Sequence, residues 1–376
     1  MRILRVAQKL YPEVKGGGPY HVHAMSRDQA AMGHDVTVLT VSDDIDNPHR
    51  EDRDGYSVVR YPTTVSALGN DISGGVASFL QTAHSYDVIH AHSHLYFSTN
   101  LAALKRRSGD IPLAITNHGL YSQNAPEWLF DLYLRSVGQW TFNQADVVLC
   151  YTETDRQRVR SFNVNSRIEV VSNGIDTERF CPSGPKSSLI EDEVPVVLFV
   201  GRLVEGKQPR KVIESLALLR EKCPDAELYI CGSGPLQGEL KELTERLELA
   251  DAVHFLGYIS YDEMPQVYRS GDVLLLPSRA EGLPRTVLEA MASGLPVVVS
   301  ELEQMTDVVG DAGYFVDAED SRSIAQALVS CLDHQDSNVI GTRARSRIVE
   351  QYHWPRTVEK TTDVLTSLVE RNRYMQ

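Results

Sequence analysis

Residues Leu274–Ser300 read LLLPSRAEGLPRTVLEAMASGLPVVVS, and this stretch decides the fold. An apolar run at Val273–Leu276 leads into a short polar loop, and a helix begins near Pro284 and ends at Ser293-Gly294. A second apolar run follows at Val297–Val299. Strand, loop, helix and strand make a βαβ unit, and open α/β sheets bind ligands at the carboxyl ends of such strands.

Two glutamates mark this unit, Glu281 in the loop and Glu289 in the helix. The first turn of a helix offers free backbone N–H groups and a partial positive charge, which suit a phosphate. Carboxylates beside such an anion site accept hydrogen bonds from sugar hydroxyls. The stretch therefore predicts a nucleotide-sugar site, although an ordinary surface loop before a capped helix has the same local pattern.

Composition limits the class of protein. The 376 residues indicate two domains, and 42 % hydrophobic and 23 % charged residues are usual for a soluble globular chain. A net charge of −14 argues against a nucleic-acid partner and gives no attraction to anionic membranes. The five cysteines lack a C-x-x-C pair, which favours free thiols in a reducing cytoplasm over disulfides. We expect a cytoplasmic protein, with peripheral membrane contact as a lesser alternative.

The first half opens like a Rossmann domain. A strand at Ile3–Ala7 precedes the cluster Gly16-Gly17-Gly18-Pro19, a helix from Tyr20 to about Met32, and a strand at Val36–Thr40. The cluster does not match G-x-G-x-x-G, so a dinucleotide site is not indicated. Glycines let a backbone approach a ligand closely. The cluster is predicted to be a loop that contacts phosphate or sugar, or else a flexible connector.

More strands alternate with helices along the first half, which predicts one doubly wound parallel sheet. The predicted strands are Tyr56–Arg60, Val88–His90, Leu113–Thr116, Val147–Cys150 and Ile168–Val171. An apolar segment at Ser122–Trp140 is predicted to be a core helix, with an acceptor groove or a shallow lipid contact as the alternative.

Histidines collect at two strand ends. His90, His92 and His94 alternate, which suggests a metal, but no nearby carboxylate or cysteine completes a ligand set, so zinc is disfavoured. His118 precedes Gly119 at the end of a buried strand, where an imidazole would lie at the ligand edge of the sheet. A purely structural histidine is the alternative for His118.

The second half begins after a polar linker at Pro182–Glu193. A strand at Val196–Val200 leads into a loop that carries Arg202 and Lys207, and two cations beside a helix start can hold a diphosphate. Solvated surface charge is the alternative. Later strands also end in Gly or Pro-Ser, which predicts a second doubly wound domain, and they are Glu227–Cys231, Val253–Leu256 and Val273–Leu276.

Taken in order, these motifs resemble the family 4 retaining glycosyltransferases of group 1 type. The resemblance covers nearly the whole chain. It rests on Gly16–Gly18, His118-Gly119, VSNGID at Val171–Asp176, VGRLVEGK at Val200–Lys207, GSGP at Gly232–Pro235, and above all PSRAEGLPRTVLEAMASGLPVV at Pro277–Val298.

The resemblance implies the GT-B fold, an α/β architecture of two facing Rossmann-like domains. Residues 1–182 would form the acceptor-binding domain, and residues 183–352 the domain that binds the nucleotide sugar. Residues 353–376 would form a helix that packs back on the first domain. The chain departs from the family where Pro19 follows the glycine cluster and where Gln208, rather than glycine, follows Lys207.

The same resemblance implies roles for residues of the second domain. Arg202 and Lys207 would bind the donor diphosphate and stabilise charge on the leaving group. Glu281 would contact the transferred sugar, and the N–H groups of Gly282 and Leu283 would assist. Two further contacts are implied: Glu289 with the ribose hydroxyls, and Gly257-Tyr258 with the base.

In the first domain, the resemblance implies that Gly17 and Gly18 approach the diphosphate and that His118 lies near sugar and acceptor. The reaction would be retaining transfer from a UDP- or GDP-sugar to a hydroxyl of a glycan, lipid-linked or small-molecule acceptor, without metal or cofactor. A GT-B phosphorylase of a disaccharide and a non-catalytic nucleotide-sugar-binding partner subunit are the alternatives. An epimerase would need another carboxylate set, and a dehydrogenase would need G-x-G-x-x-G.

Overall fold

A computed structural model of the chain describes residues 1–67, 69–109, 111–120, 127–191, 193–332 and 334–375. The chain forms two compact units. The first unit contains Met1–Ser172 and Arg356–Gln376, and the second contains Asn173–Pro355. The units divide earlier than the expected residue 182, because Ile175 belongs to the second unit. Its N–H donates to the carbonyl of Tyr352 at 2.7 Å, and its own carbonyl accepts from the N–H of Trp354 at 2.9 Å.

The first unit is built on a sheet of eight strands among the described residues, in the order β10-β9-β8-β7-β1-β2-β4-β3. All neighbours are parallel except β3 and β4, and β5 and β6 form a separate hairpin. The strands are β1 (Arg2–Val6), β2 (Asp35–Ser42), β3 (His49–Arg53), β4 (Tyr56–Pro62), β5 (Val65–Ala67), β6 (Asn70–Ile72), β7 (Val88–His92), β8 (Leu113–Thr116), β9 (Val147–Cys150) and β10 (Arg167–Val170).

Helices cover this sheet. They are α1 (Gly17–Ala31), α2 (Gly74–Thr82), α3 (Phe97–Ser108), α4 (Glu127–Tyr133), α5 (Gln139–Gln144) and α6 (Glu153–Ser161), with a π-helical turn at Leu134–Gly138 between α4 and α5. Residues 122–126 of the predicted apolar helix lie outside the described residues. The prediction that this helix is core holds for one side only: Phe130 and Leu134 are buried, whereas Trp128 is 70 % and Leu132 is 59 % exposed.

Side chains alternate across the first sheet and build two apolar cores. Leu4 and Val6 of β1 belong to one core, and Ile3 belongs to the other. Leu365 and Leu368, near the end of the chain, are also part of the core that contains Ile3. These C-terminal residues therefore complete the first unit.

The second unit has a six-stranded sheet among the described residues, in the order β13-β12-β11-β14-β15-β16, and all neighbours are parallel. Its strands read as apolar runs because both sides of a parallel sheet are buried. They are β11 (Val196–Val200), β12 (Glu227–Cys231), β13 (Val253–Gly257), β14 (Val273–Leu276), β15 (Val297–Ser300) and β16 (Tyr314–Val316).

The helices of the second half complete the architecture. They are α7 (Pro209–Arg220), α8 (Gln237–Arg246), α9 (Met264–Ser270), α10 (Arg285–Ala292), α11 (Glu303–Val309), α12 (Ser321–Cys331), α13 (His334–Gln351) and α14 (Trp354–Met375). None of the helices that the structure describes is long and apolar enough to cross a membrane.

The segment predicted as a linker, Pro182–Glu193, packs within the second unit in its described part. The guanidinium of Arg269 donates to the carbonyls of Ser183 and Pro185, and Ile190 is only 6 % exposed. The linker prediction was therefore wrong, because a polar composition does not reveal that a neighbouring side chain supplies the hydrogen bonds.

Candidate functional site

Two loops of the second unit meet where the strand order reverses. β11 and β14 are neighbours, and the chain leaves them toward opposite sides of the sheet order. The loop after β11 carries Lys207 and the loop after β14 carries Glu281, and the ammonium of Lys207 donates to the carboxylate of Glu281. The N–H of Arg279 also donates to the carbonyl of Gly206 at 2.9 Å. Such a reversal point is where open α/β sheets bind ligands.

This ion pair is withdrawn from solvent. Lys207 is 9 % exposed and Glu281 is 5 % exposed. A buried charge is tolerated only with a partner, so each of these side chains stabilises the other. The helix α10 begins at Arg285, directly after the buried residues Gly282 and Leu283, and the N–H groups of its first turn lack intrahelical acceptors. A cation from one loop thus contacts a carboxylate that lies close to the start of α10 in the sequence.

Glu319 stabilises both loops from outside. Its Oε1 accepts from Nε2 of Gln208 at 2.5 Å and from Nε of Arg279 at 2.6 Å. Gln208 adopts the left-handed conformation, with φ 53° and ψ 42°. The conformation explains why glycine suits this position, because glycine adopts it without steric cost.

Glu289 lies in a different polar network from Glu281. Its Oε2 accepts from the hydroxyl of Tyr268 at 2.9 Å, and its Oε1 is 3.6 Å from Nε of Arg285. Arg285 also donates to the carbonyl of Gly174 at 3.2 Å. Burial raises the pKa of the Glu289 carboxyl, and the charge of Arg285 opposes that rise. The glutamates of the signature therefore stand in two separate environments.

The GSGP segment presses against the loop that carries Arg202. A Cβ on Gly232 would overlap the carbonyl oxygen of Gly201, and Gly232 has φ +146°. The N–H of Leu203 donates to the carbonyl of Ser233 at 3.0 Å. Arg202 itself is exposed at this edge. The backbones of the two loops therefore pack in direct contact, which is possible only because residue 232 has no side chain.

Gly257 ends β13, and Tyr258 follows the strand at the same edge. Gly257 has φ +69°, its carbonyl accepts from the N–H of Gly232 at 2.7 Å, and Tyr258 is 45 % exposed. Gly257 is thus tied to the GSGP segment, while the aromatic ring of Tyr258 reaches solvent.

In the first unit, His118 lies beside the start of α1. The helix begins at Gly17, so Gly17 and Gly18 form its first turn and the predicted loop ends at Gly16, which has φ +136°. Pro19 fits this first turn because its missing N–H would have no helical acceptor there. A Cβ on Gly18 would lie 3.9 Å from Nδ1 of His118, so the helix start and the imidazole are neighbours.

Both ring nitrogens of His118 have partners. Nδ1 is 2.8 Å from the hydroxyl of Tyr151, and Nε2 is 3.0 Å from Nδ1 of His92. Burial lowers the pKa of His118 to about 4. The imidazole is therefore neutral near pH 7.

The alternating histidines contact other side chains of the protein. Nδ1 of His90 is 3.4 Å from Nη2 of Arg5, and its Nε2 is 2.7 Å from the hydroxyl of Thr116. His94 is buried against Phe142, with ring centroids 4.6 Å apart. Within the described ranges, no group of three or more His, Cys, Asp or Glu side chains is arranged to hold a metal ion.

The structure thus brings Lys207 and Glu281 into contact and His118 beside Gly18, and it puts Glu289 in a network of its own. Sequence reasoning missed several residues of these networks. One had a local signal, since Arg285 precedes Glu289 by four positions, the spacing at which helical side chains meet. The others come from distant segments and gave no such signal: Tyr151, Tyr268 and Glu319. His92 was noticed in the sequence only as a possible metal ligand and not as a partner of His118.

Comparisons with known proteins agree with this arrangement. The sequence model described as Glycosyltransferase Family 4 matches residues 15–179, and that described as Glycosyl transferases group 1 matches residues 183–347. A D-inositol 3-phosphate glycosyltransferase of Salinispora tropica is 30 % identical over 326 residues, which cover 79 % of this chain and 67 % of the relative.

Two solved structures share the fold over almost the whole chain. A sucrose-phosphate synthase from Thermosynechococcus elongatus superposes with a TM-score of 0.83 at 21 % identity, over 98 % of this chain and 99 % of that one. Anabaena HepE in complex with UDP and glucose gives a TM-score of 0.79 at 21 % identity, over 98 % and 100 % of the two chains.

Proposed function

The chain belongs to the family 4, group 1 glycosyltransferases and has their GT-B fold, and on that premise we propose that it is a retaining hexosyltransferase. It transfers a sugar from a UDP- or GDP-sugar to a hydroxyl of a glycan, lipid-linked or small-molecule acceptor. The buried Lys207–Glu281 pair at the strand-order reversal carries this proposal. The binding of UDP and glucose by Anabaena HepE, which has the same fold, supports a UDP-sugar as one of the two donor classes.

The proposed chemistry follows from charge. When the nucleotide diphosphate leaves the anomeric carbon, negative charge develops on its oxygens. Lys207, Arg202 and the first-turn N–H groups of α10 are cations and dipoles that stabilise it, and one such donor typically contributes about 3 kcal/mol to a transition state. The proposal assigns no resident metal or cofactor to the chain.

Glu281 and Glu289 have separate tasks in this proposal. Glu281 is held by Lys207 and accepts hydrogen bonds from hydroxyls of the transferred sugar. Glu289 accepts from the ribose hydroxyls, and Tyr268 and Arg285 keep its carboxylate oriented. Gly282 and Leu283 supply backbone N–H groups, and Gly257-Tyr258 borders the base.

In the first unit, Gly17 and Gly18 are proposed to approach the diphosphate, and His118 to lie beside sugar and acceptor. The acceptor belongs to one of the three classes named above. A cytoplasmic location is part of the proposal, and the five cysteines, which are all free thiols, are its support.

Calorimetric titration with UDP and with GDP tests the assignment. Lys207→Ala and Glu289→Gln are expected to weaken binding of the preferred nucleotide at least about tenfold, because the first removes a cation that faces the diphosphate and the second removes a carboxylate acceptor for the ribose hydroxyls. Lys222→Ala is the matched control for Lys207→Ala. Lys222 is exposed just after α7, so the substitution removes the same kind of charge away from the site. Wild-type affinity in both site variants would refute the assignment.

A nucleotide-sugar turnover assay with and without inorganic phosphate tests the reaction. A transferase releases nucleotide from its donor in the presence of an acceptor and without phosphate. Formation of a sugar phosphate and a free sugar from a disaccharide and added phosphate would instead establish a phosphorylase.

A further inference from the structure

We infer that His92 and Tyr151 are positioning residues for His118, and that they hold its imidazole in the neutral Nδ1–H tautomer by both ring nitrogens. The inference rests on the proposed function only where His118 is assigned to the transfer site. The geometry itself is internal to the first unit, where β7, β8 and β9 are neighbouring strands. His92 ends β7, His118 follows β8, and Tyr151 follows β9.

His90, two residues before His92 on β7, shows how hydrogen-bond partners determine a histidine tautomer in this cluster. Arg5 can only donate hydrogen bonds, so Nδ1 of His90 accepts from it. Nε2 of His90 therefore carries the proton and donates to the hydroxyl of Thr116. The tautomer of His90 is determined by a neighbour with a single possible role.

One buried atom without a hydrogen-bond partner determines which group donates in the hydrogen bonds that join His92, His118 and Tyr151. Nε2 of His92 is buried and has no hydrogen-bond partner among the described residues. A buried N–H without an acceptor is rarer and more costly than a buried lone pair without a donor. The proton of His92 is therefore on Nδ1, where it donates to Nε2 of His118. His118 then carries its own proton on Nδ1 and donates to the hydroxyl oxygen of Tyr151.

Among the described residues, the groups that contact His118 include no anion to stabilise an imidazolium. The ring faces His92 from β7, Tyr151 from the end of β9 and His21 from α1, whose ring centroid is 5.5 Å away. The charged neighbour behind them is Arg5, which is a buried cation. Burial is the cause of the lowered pKa of His118.

The consequence is a role without proton transfer. A neutral ring with both nitrogens engaged inside the protein neither takes a proton from an acceptor hydroxyl nor gives one to a leaving group. The ring instead has a fixed position beside Gly18 and the start of α1, where it shapes the site by packing. Loss of its orientation is expected to lower kcat while leaving donor affinity nearly unchanged.

The first test is long-range ¹H–¹⁵N NMR on full-length protein labelled at histidine, with His118→Ala to assign the ring. In the wild type, His118 is expected to show the Nδ1–H tautomer and to stay neutral from about pH 8 to about pH 5.5. His92→Ala removes the donor to Nε2 and is expected to shift His118 toward the Nε2–H tautomer, because the hydroxyl of Tyr151 can then donate to Nδ1. Tyr133→Phe is the control, because it removes a hydrogen bond elsewhere in the same unit, from its hydroxyl to the carbonyl of His94 at 2.6 Å.

A wild-type Nε2–H tautomer, titration of His118 within that pH range, or an unchanged tautomer in His92→Ala would each overturn the inference. None of these readouts requires a substrate. They therefore remain decisive if the nucleotide titrations refute the proposed function.

The second test uses two substitutions at His92. The amide nitrogen of asparagine reproduces the position of Nδ1, so His92→Asn keeps a donor to His118 and His92→Ala removes it. His92→Ala and Tyr151→Phe are expected to lower kcat about tenfold with donor KM within about twofold, and His92→Asn to recover most of the loss. Equal loss in His92→Asn and His92→Ala would show that His92 acts through packing alone and would overturn its positioning role.

Discussion

The two units present different chemistry at the same edge of the same kind of sheet. In the second unit the residues at that edge are charged, as in the buried pair of Lys207 with Glu281. In the first unit they are neutral, and burial lowers the pKa values of His90, His92 and His118. A common topology thus fixes where a site lies, whereas the side chains fix what it binds.

The difference has a simple physical origin. A buried ammonium keeps its charge when a carboxylate contacts it, and a buried imidazole without a carboxylate loses its proton. Charged groups suit a diphosphate, and neutral donors and acceptors suit hydroxyls. The comparison therefore supports a donor site in the second unit and an acceptor-side role for the first.

The largest expected effect comes from breaking the backbone of the charged site. Gly232→Ala puts a Cβ against the carbonyl of Gly201 and strains a φ of +146°, so we expect a loss of about 3 kcal/mol or more in the free energy of unfolding. Nucleotide binding should be lost as well, because the loop that carries Arg202 must move. Thermal unfolding and UDP or GDP titration measure the two losses.

Gly238→Ala provides the control for that experiment. Gly238 lies in α8, and a Cβ there meets no heavy atom within 4 Å. The substitution should stabilise the protein by about 0.5–1 kcal/mol, since alanine loses less entropy in a helix. Equal behaviour of the two variants would show that the close approach at Gly232 does not constrain the site.

Acid should destabilise the first unit more than the second. The pKa values of His118 and His94 in the folded chain are about 4 and about 3, below the value of about 6.5 for an unfolded chain. Between these values the unfolded state binds more protons, so each histidine lowers stability by about 1.4 kcal/mol per pH unit as pH falls. The raised pKa of Glu289 has the opposite sign, because its folded form binds the proton more strongly.

Hydrogen exchange followed by mass spectrometry, at about pH 7.5 and about pH 5 with intrinsic rates corrected, measures this difference by segment. Strands of the first unit should lose more protection than those of the second. His94→Asn should reduce the acid sensitivity, and the exposed His84→Asn should not. Equal loss of protection in both units would contradict the comparison.

The smallest expected effect is at Gln208. Gln208→Gly relieves the left-handed conformation but loses the bond to Glu319, so stability should stay within about 1 kcal/mol of the wild type. Gln208→Ala loses the bond and keeps the strain, and should be less stable than Gln208→Gly by about 1 kcal/mol. Chemical denaturation of both variants measures this difference in the free energy of unfolding. A Gln208→Ala variant more stable than Gln208→Gly would show that the backbone at this position is not strained.

The fold was largely predictable because buried parallel strands are continuous apolar runs. Leu113–Thr116, Val147–Cys150, Val196–Val200 and Glu227–Cys231 have the predicted bounds. The strand β3 was missed because HREDR is an exposed, charged edge strand without an apolar pattern. The family and the two α/β domains expected from the resemblance are confirmed.

The site was predictable only where its residues lie in motifs. Lys207 and Glu281 belong to two such motifs, and the reversal of strand order brings them together. Tyr151 and Tyr268 were missed because no spacing in the sequence relates a residue to a partner on another strand or helix. The roles of all these residues in catalysis stay predictions until the variants are measured.

The first unit consists of two pieces of chain, Met1–Ser172 and Arg356–Gln376, and this affects the order of its assembly. The apolar surface that Leu365 and Leu368 cover is synthesised well before these two residues. The amide of Gln29 likewise lacks this acceptor until Thr362 is made, because it donates to the hydroxyl of Thr362 at 2.9 Å. The second unit can fold before residues 356–376 are made, whereas the first is finished only after them.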